Sequence, residues 1–459
     1  MALDAQRNWD VSMADDLHRV KTQSRSERLQ RKADLASTTQ RLEQIDISNP
    51  RKPAVHLPAE VLIQIIDFVA SSEEVLRPGP WRDEVQNDLH ACSLVSQDWN
   101  AAATPALYAR PRLHGPIYDL FTRTICPSIN IAVRKSPLSS FVKDLDLTML
   151  VHQGSKSITA RLLGRTKYSL ERFAAPQASF SLNCFPALGK CSLLTYLDLS
   201  LVSEATSLST LFDTVADLPR LKELHLPRSA GFGVTVDPAD IHWPPALETL
   251  GLSGGLDSSF WLGRFQFPKS LTGISVTHCP KLDGDCMNGF LATLASAASP
   301  RLKSLTFAHL LHLDHQSLDS VLYLIPHLSS LSVSLDYVTP EVLNPFRAQW
   351  HSIPKGTRYT GDVSGPTLAL SHLHLSNSGD IPHPNAFLPL DVLITASDYR
   401  TVPNLTCVMV DTSLSYWFSD SEEENLEALD DWLVANAKKR GSFAKKDVGV
   451  KRIIRAPTR

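Results

Sequence analysis

Apolar residues in this chain recur in a short frame, apolar-x-x-apolar-x-apolar, that returns along most of its length. The frame reads VKDLDL from 142, LERFAA from 170, LTYLDL from 194, LKELHL from 221 and LETLGL from 247. It continues as LTGISV from 271, LKSLTF from 302, LSSLSV from 328, LSHLHL from 370 and LTCVMV from 405. Starts of the first eight copies lie 24–31 residues apart, and the last two intervals widen to 42 and 35. Alternation of this kind predicts short strands with one buried face. Between copies the period changes. Leu208, Leu211, Phe212 and Val215 fall at i, i+3, i+4, i+7, as do Met287, Phe290, Leu291 and Leu294, and again Leu318, Val321, Leu322 and Ile325. These stretches predict one-sided helices. Strand, turn, helix, turn in repetition predicts a parallel sheet covered by helices on its other side. A single unit cannot bury its own apolar face, so the units must stack.

The frame and its spacing resemble leucine-rich repeats. A second pattern competes at one point: Gly251, Ser253 and Gly255 fit G-x-S-x-G, the turn that presents a nucleophilic serine in α/β-hydrolases. Ser253, however, falls at the end of a strand frame shared by many other segments. No HGGG-type oxyanion motif accompanies it, so it reads as a turn residue.

Ahead of the repeats, residues 56–115 read as a small helical unit. Pro58 marks a helix start, followed by Val61, Leu62, Ile65, Ile66 and Val69 at helical spacing. A second helix carries Leu89, Cys92, Val95, Ser96 and Trp99. The segment resembles an F-box. The signature LPxEVLxxIxxF is met by Leu57, Pro58, Glu60, Val61, Leu62, Ile65 and Phe68. The signature LxxCSLVSxxW is met by Leu89, Cys92, Ser93, Leu94, Val95, Ser96 and Trp99. The connection Ala70–Asp88, with Pro78 and Pro80, is longer than usual, and a surface insertion there should be tolerated. Together with the repeats, the chain resembles F-box/leucine-rich-repeat proteins of a type common in fungi.

The resemblance implies the α/β class, with an N-terminal helical F-box followed by a curved leucine-rich-repeat solenoid. The expected divisions are a polar, partly helical or disordered segment 1–50, the F-box-like unit 51–115 and the solenoid 116–415. An acidic capping helix 416–440 and a basic flexible tail 441–459 complete them. It further implies a non-catalytic substrate receptor of a SKP–cullin–F-box ubiquitin ligase. The adaptor of the SKP family, and through it a cullin-RING ligase, would dock on Leu57, Pro58, Leu62, Ile65, Leu94, Val95 and Trp99. The alternatives are a helical cap shielding the first repeat and an adaptor-independent repeat scaffold.

The third and fifth residues of each frame point to the concave face. Early copies place Asp144, Asp146, Arg172, Tyr196, Asp198, Glu223 and His225 there, whereas the central copies place small neutral residues. A basic or hydrogen-bond-donating target segment would therefore bind Asp144, Asp146, Tyr196, Asp198, Glu223 and His225. Ordinary solvated strand positions remain the alternative.

Composition narrows the rest. The formal charge of −3 gives no global field for nucleic acid or a membrane surface, and no apolar run is long enough to span a bilayer. The polar, acidic N-terminus lacks a secretory h-region. Seven cysteines without a C-x-x-C pair suggest reduced thiols in a cytoplasmic or nuclear protein. His309, His312 and His315, and the pair His372 and His374, lack a Cys or carboxylate at zinc spacing, so neither metal nor another cofactor is expected. Near the C-terminus, Ser421 and Glu424 form a capping box, and Leu426, Leu429, Trp432 and Leu433 an apolar face expected to close the solenoid. From Lys438 onward nine Lys or Arg face one Asp, which reads as a solvated terminus. The last two copies of the frame, beyond the stretch 340–367, fit either irregular repeats with a long loop or a separate element.

Overall fold

The computed structural model describes residues 56–71, 81–127, 136–150, 156–202, 208–228, 241–255, 267–297, 301–343, 368–378, 392–393, 402–412, 414, 420–440 and 448–453. The segment 1–50, most of 340–367 and Ser419 lie outside the described residues, as does the side chain of Ser421. Two units divide the chain, Met1–Pro58 and Ala59–Arg459. In the first, His56, Leu57 and Pro58 are exposed and carry no regular structure.

The second unit opens with four helices: α1 (Ala59–Ala70), α2 (Trp81–Ser93), α3 (Gln97–Ala109) and α4 (Gly115–Ile125). Eleven strands then form one open parallel sheet whose spatial order is their sequence order. They are β1 (Asp144–Asp146), β2 (Arg172–Ala174), β3 (Tyr196–Asp198), β4 (Glu223–His225), β5 (Thr249–Ser253) and β6 (Gly273–Thr277). The second half comprises β7 (Ser304–Ala308), β8 (Ser330–Ser334), β9 (His372–Ser376), β10 (Cys407–Asp411) and β11 (Gly449–Ile453). The connections carry helices α5 (Lys156–Thr166), α6 (Phe185–Leu188), α7 (Leu208–Ala216), α8 (Gly284–Ala297), α9 (Val321–Leu324) and α10 (Asp420–Lys439).

One row of side chains explains the order. Leu145, Phe173, Leu197, Leu224, Leu250, Ile274, Leu305, Leu331, Leu373 and Val408 stand in mutual register, all buried, at the same position of successive frames. A slip of one residue would turn every one of them to solvent, so burial enforces the register. The row joins the inward residues of the helices in a single core running from Leu113 to Leu433.

The second frame position supplies a device that the apolar pattern does not reveal. The hydroxyls of Thr195, Thr272, Ser329, Ser371 and Thr406 each donate to a carbonyl of the preceding repeat, at 2.9–3.1 Å. Where this position is charged, Lys143 meets Glu171 at 3.2 Å and Lys222 meets Glu248 at 2.9 Å. Side-chain bonds of this kind stitch most neighbouring repeats together beside the backbone ladder.

Two expectations are corrected. The helix foreseen over Leu318–Ile325 is a single turn, α9, because the Leu318 amide donates to the Tyr337 carbonyl and Asp319 accepts from Thr339. These tertiary bonds hold the start of the segment to the turn after β8, and the Val321 amide closes a tighter turn on the Leu318 carbonyl, while all four apolar residues stay buried. The tail foreseen as solvated carries the last strand. Gly449, at φ +101°, admits the turn into β11, and the Val450 amide donates to Asp430 of α10. Helix α10 consequently sits between β10 and β11, with Leu426, Leu429 and Leu433 in the core, instead of closing the sheet. Lys451 and Arg452 place charge on that edge strand, a feature that discourages edge-to-edge pairing.

Candidate protein-binding surfaces

Helix α1 has two apolar stripes one residue apart. Leu62, Ile66 and Val69 form the inner one, and Val61, Ile65 and Phe68 repeat the same spacing on an adjacent face. Ile66 packs with Leu89 of α2 and Ala103 of α3, and Val85, Cys92, Trp99 and Leu107 pack around them. The second stripe lacks such cover: Phe68 is 82 % exposed, and Val61 and Ile63 are exposed as well.

The turn between α2 and α3 is held rigidly. Ser96 caps α3 by accepting from the Trp99 amide at 3.3 Å. Asn100 donates to the Ser93 carbonyl at 3.0 Å, and Ser93 to that of His90 at 2.7 Å. Gln86 ties α2 to α3 through the Leu107 carbonyl. This frame presents Leu94 and Val95 at 72 % and 64 % exposure. Large apolar side chains held out on an ordered backbone are what a partner surface covers.

Of the seven residues expected to meet an adaptor, Leu57, Pro58, Leu94 and Val95 are exposed and Ile65 is half-buried. Leu62 is buried and Trp99 belongs to the helical core, so both support the surface from within. Val61, Ile63 and Phe68 were missing from the expected set. The doubled stripe of α1 was the signal that could have supplied Val61 and Phe68, since a helix in so small a unit buries only one face, whereas Ile63 belongs to neither stripe.

The early concave positions do come together. Asp144, Arg172, Tyr196 and Glu223 are register partners in one row, and Ala174, Asp198, His225 and Gly251 in the next, where Asp146 pairs Ala174. Arg172 Nε lies 3.6 Å from Asp144, and its guanidinium stacks 3.7 Å from the Tyr196 ring centroid. Tyr196 Oη donates to Asp198 at 3.3 Å, and His225 Nε2 meets Glu223 at 2.8 Å. Asp146 accepts from the amide and hydroxyl of Thr148. Burial pushes the Tyr196 phenol well above its usual range, reinforced by Asp198 and Glu223. At His225 burial favours the neutral ring, yet the Glu223 hydrogen bond and the Asp198 and Glu223 charges outweigh it and raise the pKa. The patch is therefore a coupled network in which carboxylates outnumber cations.

Asp144 and Asp146 also line a cavity of about 870 Å³ whose apolar wall comes from α1, α2 and α3, including Ile63, Ile66 and Leu89. Ser253 is only 2 % exposed and donates to the Leu226 carbonyl at 2.6 Å, which removes it as a nucleophile. His372 and His374 bond to Ser371 and Ser332, and His309 stacks on His278. Among the described residues no three His, Cys, Asp or Glu are grouped to hold a metal ion, and no helix is long and apolar enough to cross a membrane.

No protein-family model matches the chain. It is 30 % identical over 335 residues to F-box protein YDR306C of Saccharomyces cerevisiae, covering 72 % of this chain and 64 % of that protein. The chain thus spans a little under two thirds of that relative's length. It is 26 % identical over 329 residues to Protein pof5 of Schizosaccharomyces pombe, covering 71 % of this chain and 85 % of that one. A chain of the crystal structure of the Rad7 and Elc1 complex in yeast overlaps 87 % of this chain and 93 % of its own length, at 16 % identity and a TM-score of 0.42, too loose to carry anything across. Over 72 % and 71 % of its length the chain is thus similar to F-box protein YDR306C and to Protein pof5, and in it an F-box-like helical unit precedes a leucine-rich-repeat sheet.

Proposed function

We propose that this chain is the substrate-recognition subunit of a SKP–cullin–F-box ubiquitin ligase. The observation that carries this reading is the ordered display of Val61, Phe68, Leu94 and Val95 on a helical unit whose own core is complete without them. An apolar surface of a SKP-family adaptor fits such a display, and through the adaptor a cullin-RING ligase. The sheet then holds a target protein, with the carboxylate-rich concave patch as its contact for basic groups. The chain contributes proximity to the ubiquitin thioester and no chemistry of its own. Such a receptor works in the cytoplasm, the nucleus or both.

The test is co-purification with a SKP-family adaptor, comparing the wild type with a Leu94→Ala/Val95→Ala variant. Both side chains are exposed, so their removal leaves the helical core intact, which Trp99→Ala would not. Retention by the wild type alone supports the reading. If the wild type does not retain the adaptor, the chain is an adaptor-independent repeat scaffold. If both proteins retain it equally, the docking surface lies elsewhere.

A further inference from the structure

A backbone rung at the second frame position ties each repeat to the one before it. The amide of that residue donates to the carbonyl of its counterpart in the preceding repeat: Glu171 to Lys143, Thr195 to Glu171, Lys222 to Thr195, and so on to Thr406 on Ser371, at 2.7–2.9 Å throughout. The first frame has no repeat before it, and there the Lys143 amide donates to the Ala109 carbonyl at 2.9 Å. Ala109 is the last residue of α3. The end of the helical unit therefore stands where a preceding strand would stand. Packing follows the same line. Leu107 belongs to the core of the helical unit, whereas the next residue, Tyr108, packs against the core of the sheet and stacks on Phe121 of α4, with ring centroids 6.4 Å apart. Tyr118, Phe121 and Ile125 of α4 are buried in that same core. Ala109 followed by α4 thus repeats the order of a strand followed by its covering helix.

A parallel sheet that simply began at β1 would leave an unpaired edge and an uncovered end of its core there. Stacked arrays need an end unit at such a place, one whose outer face differs from its inner face. From the sequence, a helical cap and an adaptor-docking unit are alternatives. In the structure the same helices have an inner end that joins the sheet and an outer turn that displays Leu94 and Val95. Ala59–Arg459 is correspondingly one compact unit. We infer that α1–α3 cap the repeat array and open together with its first repeats, so that a partner covering Leu94 and Val95 also protects the part of the sheet that carries the early concave patch. A partner that binds only the folded cap stabilises whatever folds with it. In an array of nearest-neighbour contacts that protection is strongest at β1–β3 and fades along the sheet.

The inference rests on the receptor reading only where the partner is the adaptor, and its first experiment uses none, so the two fail separately. Native cysteines report the opening of each region, since a buried thiol is labelled only when its surroundings open. Cys126 follows α4, Cys184 and Cys191 lie between β2 and β3, and Cys407 begins β10; all four are buried. Ile66→Val trims the core of the helical unit at Leu89 and Ala103, a core that includes none of these thiols. In the full chain, with labelling followed by mass spectrometry, it should quicken Cys126, Cys184 and Cys191 by the factor the lost methyl adds to opening, about 2–12-fold. Ala103→Gly, inside α3, should act in the same direction and serves if Ile66→Val does not fold. Labelling of the three thiols at the wild-type rate would overturn the inference, and so would a larger response at Cys407 than at these three. A saturating SKP-family adaptor should then slow the same three thiols, by up to about a hundredfold at ~100 Kd. An adaptor that is retained through Leu94 and Val95 yet leaves those rates unchanged would also overturn the inference. An adaptor that is not retained overturns the receptor reading and leaves the cap to be decided by Ile66→Val.

Discussion

Gly251 offers the sharpest check on the concave patch. It pairs His225 across β4 and β5, and a Cβ built on it would lie 2.1 Å from His225 Nδ1, 2.8 Å from Cγ and 3.0 Å from Cε1. The imidazole occupies the space that any larger residue would need. In Gly251→Ala the ring must swing away, which breaks the 2.8 Å contact with Glu223 and the 5.8 Å ring packing on Tyr196. Overpacking of this kind costs about 1–3 kcal/mol. Against it stands a gain of about 0.4–1 kcal/mol from restricting the unfolded chain, since Gly251 is not among the positive-φ glycines. The net expectation is a change between about zero and a destabilisation of about 2.6 kcal/mol. In a His225→Ala background the obstruction is gone and only the gain remains, so the same substitution should stabilise by about 0.4–1 kcal/mol. The gain cancels between the two backgrounds, so the coupling energy is the overpacking cost itself, about 1–3 kcal/mol, read from urea unfolding of the four proteins of the cycle. Equal effects of Gly251→Ala in both backgrounds would show that His225 does not lie over the glycine.

Three further outcomes rest on the same geometry. Because His225 has a folded pKa raised above its unfolded value near ~6.5, its contribution to stability is fully present below that value and is lost as pH rises through the folded pKa. The stability gap between wild type and His225→Gln should shrink as pH rises above ~6.5, and a gap that widens would reverse the sign argument. Thr272→Val removes the Thr272 hydroxyl bond to the Glu248 carbonyl, and should cost about 0.5–1.5 kcal/mol in urea unfolding; a loss no larger than that of exposed Lys222→Ala, about 0–1 kcal/mol, would deny the hydroxyl ladder a role. All seven cysteines are free, and burial pushes Cys191 and Cys279 up to about 12 and raises Cys126 and Cys184. A thiol reagent at neutral pH should therefore label only the half-buried Cys92 and Cys286 in the folded protein; rapid labelling of a third thiol would contradict this burial.

What could be read from the sequence was whatever repeats with a period. The frame leucines located all ten strands from 142 to 411, and the i, i+3, i+4, i+7 stretches located α7 and α8, because both signals come from burying one face. The eleventh strand escaped, since GVKRI has only two apolar residues, Val450 and Ile453, which do not alternate, and its anchoring depends on Gly449 and on Asp430, twenty residues before Val450. The hydroxyl ladder escaped for a related reason: Thr, Ser, Lys and Glu share the second frame position, and no single residue type repeats. On the helical unit, the F-box signature was legible, but its residues were assigned to the surface as a block. Leu62 and Trp99 show that a signature mixes residues that fold the unit with residues it displays. Separating the two requires knowing which stripe of α1 faces Leu89 and Ala103.

The same distinction governs where on the sheet a target is held. Charge alone directs attention to the early concave face, where Asp144, Asp146, Asp198 and Glu223 cluster. Yet Asp144 already faces Arg172, Asp198 accepts from Tyr196 and the Ser200 amide, and Glu223 is engaged by His225. A ligand arriving there displaces existing partners and gains only the difference. Charge reversal at Asp198 and Glu223 should then weaken binding of a basic target segment only by the difference between the target's contacts and those already made by Tyr196, Ser200 and His225. Pull-down of one target protein by this variant and the wild type would measure the loss, and unchanged binding would remove the early repeats as the contact.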